Sequence, residues 1–462
     1  EGLLVYHVVI PSYDCERGFQ RPGLRVALVP SNKERKSSGS YFTPQHIVKY
    51  IVSNTVGPLL TEKFENLAPK LRPIQREYQE TREFERKRAE KMRSQPRTDD
   101  AIAHGIAVKH EATVWDLFDL KVLDPAMGSG HFLVETVDFI TDKVLDFLAG
   151  FPWNPVQVLI DQRIRRQIIE SLDEQGVKIN EDRLTDVNLI KRLVMKRCVY
   201  GVDLNPMAVE LAKVSLWLDS FTLGAPLSFM DHHLKCGNSL VGATINDLKK
   251  AAEAEFSKTE RHGLLFSIPM EPLERATRNM ELIADLTDAT LAEVTKSADT
   301  YEQVLAGVEG YRALLDCLTA EHFGVKGASQ LVTEGGDLDL EHWSRTIESL
   351  PKKEQEWVKK ATATSRDRRF FHWDIDFPDV FFTRRREDEL KAFDAVVGNP
   401  PWGAVLDDEA LDHARSRFKW EGSQRDTYLE FTEQAHCRLR SGGRYGMILP
   451  DAWLTGTRYE PF

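Results

Sequence analysis

Apolar and polar positions along the chain alternate between two periods. "KVLD" (121–124) is a short apolar run that halts at an acid. The glycine-rich "PAMGSG" follows, then "HFLVETVDFITDKVLDFLAG", where Phe132, Val137, Ile140, Val144 and Phe147 recur at helical spacing and Gly150 suits a C′ position. "RCVYGVDLNPMAVELAKVSLWLDSF" repeats the scheme: a strand ends at Asp203, Asn205 caps, Pro206 begins a helix, and Leu211, Val214 and Leu218 are assigned to the core. "AFDAVVG" (392–398) is a further strand. "TYLEFTEQAHCRLRSGGRYGMILP" reads as a helix, a stop at Gly442-Gly443, and a strand. Strands alternating with helices predict a mostly parallel sheet covered on both sides.

Nearer the N-terminus, "LLVYHVVIPS" and "GLRVALVPS" read as a short strand pair. "GSYFTPQHIVKYIVSNTVGPLL" then predicts a helix with Thr43 as N-cap and Pro44 at its first position. Ile47, Ile51 and Leu59 line one face, broadened by Val48, Val52 and Val56. Residues 61–98 are a charged, helix-favouring run, and 68–97 hold ten basic residues against five acidic ones. That run reads as a solvated helix or partly disordered arm, or as a nucleic-acid-facing helix. Residues 151–196 and 243–370 are long, charged and helical in pattern, and are expected to insert into the sheet domain. The expected organisation is therefore 1–120, an N-terminal segment with the charged arm; 121–242, the first part of the sheet domain; 243–370, a helical insertion; and 371–462, the second part.

Composition narrows the class. With 42% hydrophobic and 29% charged residues in 462, the chain is expected to be soluble and to hold a large core. No stretch approaches the roughly 20 apolar residues that a membrane span needs, and no charged-then-apolar leader is seen. Five scattered cysteines without a C-x-x-C pair argue against a structural zinc site or a disulfide framework, and suit a reducing cytoplasm. A net charge of −11 argues against wholesale wrapping of nucleic acid, not against a local basic face. Because the chain begins at Glu1 and stops just after a strand-like run, it is expected to be a fragment.

Four stretches carry candidate chemistry. In "VLDPAMGSGHF" the glycines let a backbone turn tightly beside a ligand at a strand's carboxyl end. The spacing D-P-A-x-G-x-G is not the dinucleotide G-x-G-x-x-G, and Asp124 beside the ligand suits a cationic amine better than a pyrophosphate. An ordinary strand-to-helix turn remains the alternative. Asp203 can accept both hydroxyls of a ribose, although it lies 79 residues after Asp124; a helix N-terminal acid is its other reading. In "KCGNSLVG", Asn238 follows a third strand and could line the pocket or simply form a turn.

The fourth is Asn399-Pro400-Pro401-Trp402. An exocyclic amine on an aromatic ring is a poor nucleophile, because its lone pair is delocalised. Two acceptors on its N–H groups favour a pyramidal nitrogen with the lone pair aimed outward. The Asn399 side-chain oxygen and the Pro400 carbonyl could serve, held rigid by the double proline. Trp402 can stack on the base, worth roughly 1–3 kcal/mol. A proline-rich turn with a buried indole is the alternative.

As an ordered set, these stretches resemble the amino-methyltransferases that use S-adenosylmethionine, and most closely the N6-adenine DNA methyltransferases. "SYFTPQHIVKYIV" is similar to the family's N-terminal cofactor motif, "VLDPAMGSGHF" to motif I, "VYGVDLNP" to motif II, "CGNSL" to motif III and "VVGNPPW" to motif IV. "GRYGMILPDAWL" resembles the strand region that follows. "FHWDIDFPDVFF" and the long insertions look like the long single-chain subgroup, which includes type IIG restriction–modification enzymes and the BREX and DISARM phage-defence methylases.

The resemblance implies an α/β fold, a Rossmann-like methyltransferase sheet with large helical insertions, and the gamma-class motif order. It implies S-adenosylmethionine as cofactor, double-stranded DNA as partner, possible further subunits of a defence system, and a bacterial or archaeal cytoplasm. Tyr41, Thr43 and Pro44 would form the cofactor lid. Asp124, Ala126, Gly128 and Gly130 would surround the methionine part. Asp203 would hold the ribose, Leu204 would lie against the adenine ring and Asn238 would meet its amino group. Asn399, Pro400, Pro401 and Trp402 would hold the target base. The basic 68–97 run and Arg384-Arg385-Arg386 could hold the DNA backbone. The sequence departs from the pattern in the 196 positions between Asp203 and Asn399, in carrying Asn238 where relatives often have Asp, and in showing no recognition domain and no clear nuclease signature. Methylation of cytosine N4, RNA adenine or a glutamine amide stays open, as does a cofactor-sensing DNA-binding subunit. A nicotinamide oxidoreductase is disfavoured by the missing G-x-G-x-x-G.

Overall fold

The computed structural model describes residues 43–93, 95–174, 176, 184–256, 269–334, 338–382, 392–402, 406–418 and 426–450, together with the backbone of 5–7. Among the described residues, six strands form one sheet: β1 (Val5–His7), β2 (Val122–Asp124), β3 (Val199–Asp203), β4 (Leu234–Cys236), β5 (Phe393–Gly398) and β6 (Leu439–Met447). Their spatial order is β1-β6-β5-β2-β3-β4, and every pairing is parallel. From β2 the chain builds outward through β3 and β4, then returns to the other side of β2 with β5 and β6. The order therefore reverses between β2 and β5.

Strand residues alternate between two cores, as the pleat requires. Val122, Val199, Ala395 and Val397 face a core shared with α1 (Gln45–Met92), α2 (His131–Ala149), α3 (Asp186–Cys198) and α4 (Pro206–Asp219). Leu123, Tyr200, Val202, Val396, Tyr445 and Met447 face the opposite side, under the helical turns at Trp373–Asp376 and Pro378–Phe381. The inserted α5 (Glu271–Asp285), α6 (Leu291–Ala320) and α7 (Lys352–Arg368) gather a separate apolar cluster around Tyr311, Leu314 and Leu315. After β5, α8 (Thr427–Arg438) completes the second face, through Tyr428 and Leu429.

Several local expectations change. The charged run is helical, as one reading expects, and is continuous with the helix before it: α1, 48 residues long, runs through it to Met92, with Pro58, Pro69 and Pro73 inside. Its early apolar face, including Ile47, Val48, Ile51, Val52, Val56 and Leu59, is buried as the pattern predicts. Thr43 does not cap this helix; Pro44 occupies the cap position and no side-chain cap bond forms. Gly150 ends α2 at φ −72°, so the left-handed cap conformation expected there is not used. Phe147 is only half-buried, stacked on Phe64 at 4.4 Å.

Gly442-Gly443 does not stop α8. The helix ends at Arg438, and the glycine pair lies within β6 as a bulge, where the register jumps from Phe393–Leu439 to Ala395–Arg444. Gly442 takes φ +74° there. Of the expected N-terminal strand pair, Val5–His7 runs parallel to β6, while the second strand lies outside the described residues. Arg384-Arg385-Arg386 also lie outside them.

The largest correction concerns α4. Leu211, Val214 and Leu218 do not face the core; they are exposed, Leu218 by 71%. Val209, Ala212, Lys213 and Leu216 are buried instead. The helix carries two apolar stripes, and close packing chooses between them. A Cβ on Gly130 would lie 3.1 Å from the Ala212 Cβ, so the glycine loop needs a small residue opposite it. That contact turns Ala212 inward and the larger stripe outward. Among the described residues, no helix is long and apolar enough to cross a membrane.

Candidate active site

In open parallel sheets, ligands bind beyond the carboxyl ends of strands where the strand order reverses. Here those ends belong to β2 and β5, which finish at Asp124 and Gly398. The two are in close contact: a Cβ on Gly398 would fall 2.7 Å from the Asp124 Oδ1. Only a residue without a side chain lets the strand ends approach so closely. The position that leads into Asn399 is thus pressed against the buried carboxylate of the glycine loop.

Asp124 is 1% exposed. Its Oδ1 accepts a bond from the Ala126 N–H at 3.0 Å, which bends the chain into the loop. Burial pushes the carboxyl up to about 8, with the Ala126 N–H opposing and the Asp203 charge adding. Gly128 takes φ +54° and Gly130 φ +83°, left-handed values that glycine adopts without strain. Among the described residues, an added Cβ on Gly128 would meet nothing within 4 Å.

Asp203 ties the next strand to the same loop. Its Oδ2 accepts from the Gly128 N–H at 2.9 Å and its Oδ1 from the Asn205 N–H at 2.7 Å. Asn205 in turn caps α4 through the Met207 N–H, with Pro206 at the first position, as the sequence predicts. Burial raises the Asp203 carboxyl, while these two backbone N–H groups and the Arg369 charge pull it down. Leu204 is 53% exposed at the rim, and its carbonyl accepts a bond from the Arg369 guanidinium.

The loop after β4 joins both neighbours. The Gly237 N–H donates to the Asp203 carbonyl at 2.9 Å, and the Ser239 hydroxyl to the Pro125 carbonyl at 2.6 Å. The Asn238 side-chain oxygen accepts from the Leu240 N–H at 3.1 Å, so that acceptor serves its own turn. Its backbone N–H donates to the Arg369 carbonyl at 2.7 Å.

At the end of β5, the Gly398 carbonyl accepts from the Ile448 N–H at 3.1 Å, and the Trp402 indole N–H donates to the Ile448 carbonyl at 3.3 Å. The Pro401 carbonyl accepts from the Thr427 hydroxyl at 2.8 Å. Pro400 is buried, while Asn399, Pro401 and Trp402 are half-buried. The stiff loop is thus fastened to the segment after β6 and to the start of α8.

Thr43, Asn399, Asp124, Gly128 and Asp203 are brought together at this end of the sheet. Thr43 is buried, and its hydroxyl accepts from the Asn399 Nδ2 at 3.2 Å across 356 positions of sequence. Pro44 adjoins it at the start of α1. Tyr41 lies outside the described residues. Four participants were not singled out from the sequence: Gln45, His131 and Ser239, which lie within the quoted stretches, and Arg369, which lies outside them. Gln45 donates to Glu135 at 2.5 Å and lies 2.7 Å from the His131 Nε2, fastening the start of α1 to α2. Polar residues at helix starts are common, so only the fold singles these out.

This arrangement defines a parallel α/β protein whose strand-order reversal carries a buried carboxylate and a proline-braced amide. The comparison with known families then places it: the chain belongs to the Eco57I restriction-modification methylase family, whose profile matches residues 197–462. It is also 25% identical over 454 residues to a Methanocaldococcus jannaschii protein named "Putative type II restriction enzyme and methyltransferase". That match covers 93% of this chain and 33% of the relative, so the chain spans about a third of the relative's length.

Proposed function

We propose that this site transfers a methyl group from S-adenosylmethionine to N6 of an adenine extruded from duplex DNA, within a restriction–modification or phage-defence system. The observation that supports the reading is the contact between Gly398, which leads into Asn399, and Asp124, which leads into the glycine loop. Family membership supports methyl transfer, and the motif order supports a Rossmann-like, gamma-class arrangement.

The residues present fit the cofactor. A buried carboxylate driven up to about 8 is an unmet demand for positive charge, which an amino-acid ammonium supplies. With nothing among the described residues within 4 Å of an added Cβ, Gly128 leaves room for close approach. Asp124, Ala126, Gly128 and Gly130 would hold the methionine part. Each Asp203 oxygen accepts one backbone N–H and retains a second lone pair for a ribose hydroxyl. Leu204, exposed at the rim, would lie against the adenine ring, with Asn238 near its edge and Tyr41, Thr43 and Pro44 closing over it. When bound, the sulfonium supplies an electrophilic methyl carbon.

The chain's own part is to hold and aim the target. Trp402, its indole N–H anchored on Ile448, offers a ring face for the extruded base. The Asn399 oxygen and the Pro400 carbonyl accept the two N–H bonds of the amine, which turns its lone pair outward. The proline pair fixes these acceptors before the base arrives, so no reorganisation is required at the moment of reaction. No side chain has to take the amine proton beforehand; it leaves to water after nitrogen becomes cationic.

The test separates binding from chemistry. In the full-length protein, Asn399→Ala should lower the methyl-transfer rate on adenine-containing duplex at least 100-fold while changing cofactor affinity less than threefold. An unchanged transfer rate would overturn the catalytic assignment.

A further inference from the structure

We infer that Thr43 is a positioning residue for the Asn399 amide: its hydroxyl holds the amide nitrogen and leaves the amide oxygen turned away from it. This rests on the function proposed above and assigns Thr43 a task beyond covering the cofactor. A side-chain amide is nearly symmetric in shape, but its two branches have opposite chemistry. One presents an acceptor, the other two donors. The reaction needs the oxygen toward the target amine, since an NH2 group there would confront N–H with N–H. A neighbour that takes the amide nitrogen therefore helps to keep the oxygen available.

The Asn399 Nδ2 donates to the Thr43 Oγ1 at 3.2 Å. Because the amide is planar, engaging its nitrogen turns its oxygen to the other side, away from Thr43. Thr43 is itself fixed: it is 6% exposed and precedes Pro44, the cap of α1, whose Gln45 is bonded to Glu135 and His131 on α2. His131 directly follows Gly130, the last glycine of the loop. The helix start thus holds the orienting hydroxyl at one end and braces the glycine loop at the other. The position reads in the sequence as an N-cap, yet it makes no cap bond. That leaves the hydroxyl for Asn399.

The test compares Thr43→Val, which keeps the shape and removes the acceptor, with Thr43→Ser, which keeps the acceptor. In the full-length protein, the Val variant should lower kcat 10- to 100-fold with cofactor affinity within threefold. The Ser variant should return kcat to within about threefold of the parent. The inference is overturned if the Val variant keeps its kcat, if its loss lies wholly in cofactor affinity, or if Ser is as impaired as Val. A second readout does not depend on turnover. In a double-mutant cycle with Asn399→Ala, the two melting-temperature shifts should combine to less than their sum. Additive shifts would show that the two side chains are not coupled. If the parent protein transfers no methyl group, the proposed function fails, while the cycle still decides whether Thr43 restrains Asn399.

Discussion

Replacing Asp124 by Asn removes the ionisable group most displaced from its ordinary range at this site. Burial lifts this carboxyl from 3.8 to about 8. Between those values the folded protein holds a proton that the unfolded chain has released. Each unit of pH then costs the fold about 1.4 kcal/mol. From pH 6 to pH 8 this one group should lower the unfolding free energy by roughly 2–3 kcal/mol, and above about pH 8 its contribution levels off. Asn at this position keeps an oxygen to accept the Ala126 N–H and has no proton to lose. The variant should therefore gain on the parent by that amount across the same interval. Urea denaturation of both proteins at pH 6, 7, 8 and 9, without cofactor, measures the difference directly. In parallel, the parent's affinity for S-adenosylmethionine should rise from pH 6 toward pH 8 as the carboxylate forms, and the variant's should be weak throughout. A constant stability difference between the two proteins from pH 6 to 8 would refute the reasoning, because Asp124 would then be ionised in the fold from the start.

Two further outcomes follow from contacts. Gly398→Ala places a methyl group 2.7 Å from the Asp124 Oδ1; it should destabilise by about 1–3 kcal/mol and weaken cofactor binding, as calorimetry on both properties can show. On α4, Leu216→Ala should cost about 2–5 kcal/mol in denaturant unfolding, because Leu216 is fully buried, whereas Leu218→Lys should stay within about 0.5 kcal/mol.

Much of the sheet is legible in the sequence, because short apolar runs ending in Asp124, Asp203 and Gly398 mark strands and the turns after them. Asn205-Pro206 announces a helix start with a local mechanism, a side-chain cap and a preset φ, and the structure shows both. Failures occur where a long-range contact decides. The outward turn of Leu211, Val214 and Leu218 depends on Gly130 meeting Ala212, which lies 82 positions away. Thr43 fits a cap by every local criterion, and its true partner is Asn399, near the far end of the chain. Gly442-Gly443 is compatible with either a helix stop or a bulge. The extra residues that β6 carries opposite β5 make it a bulge, and no local pattern encodes that pairing. At the site, the motifs locate the carboxylate, the glycines and the amide. Arg369, whose carbonyl and guanidinium stitch Asn238 and Leu204 together, lies outside every quoted motif.

The central claim is that Asn399 presents an extruded adenine to a methyl donor held beside Asp124. The most direct measurement is nucleoside mass analysis of duplex DNA incubated with the full-length protein and methyl-labelled S-adenosylmethionine. Labelled N6-methyladenine should form, and should disappear with Asn399→Ala. Label on cytosine, no label at all, or equal labelling by the Asn399 variant would contradict the account.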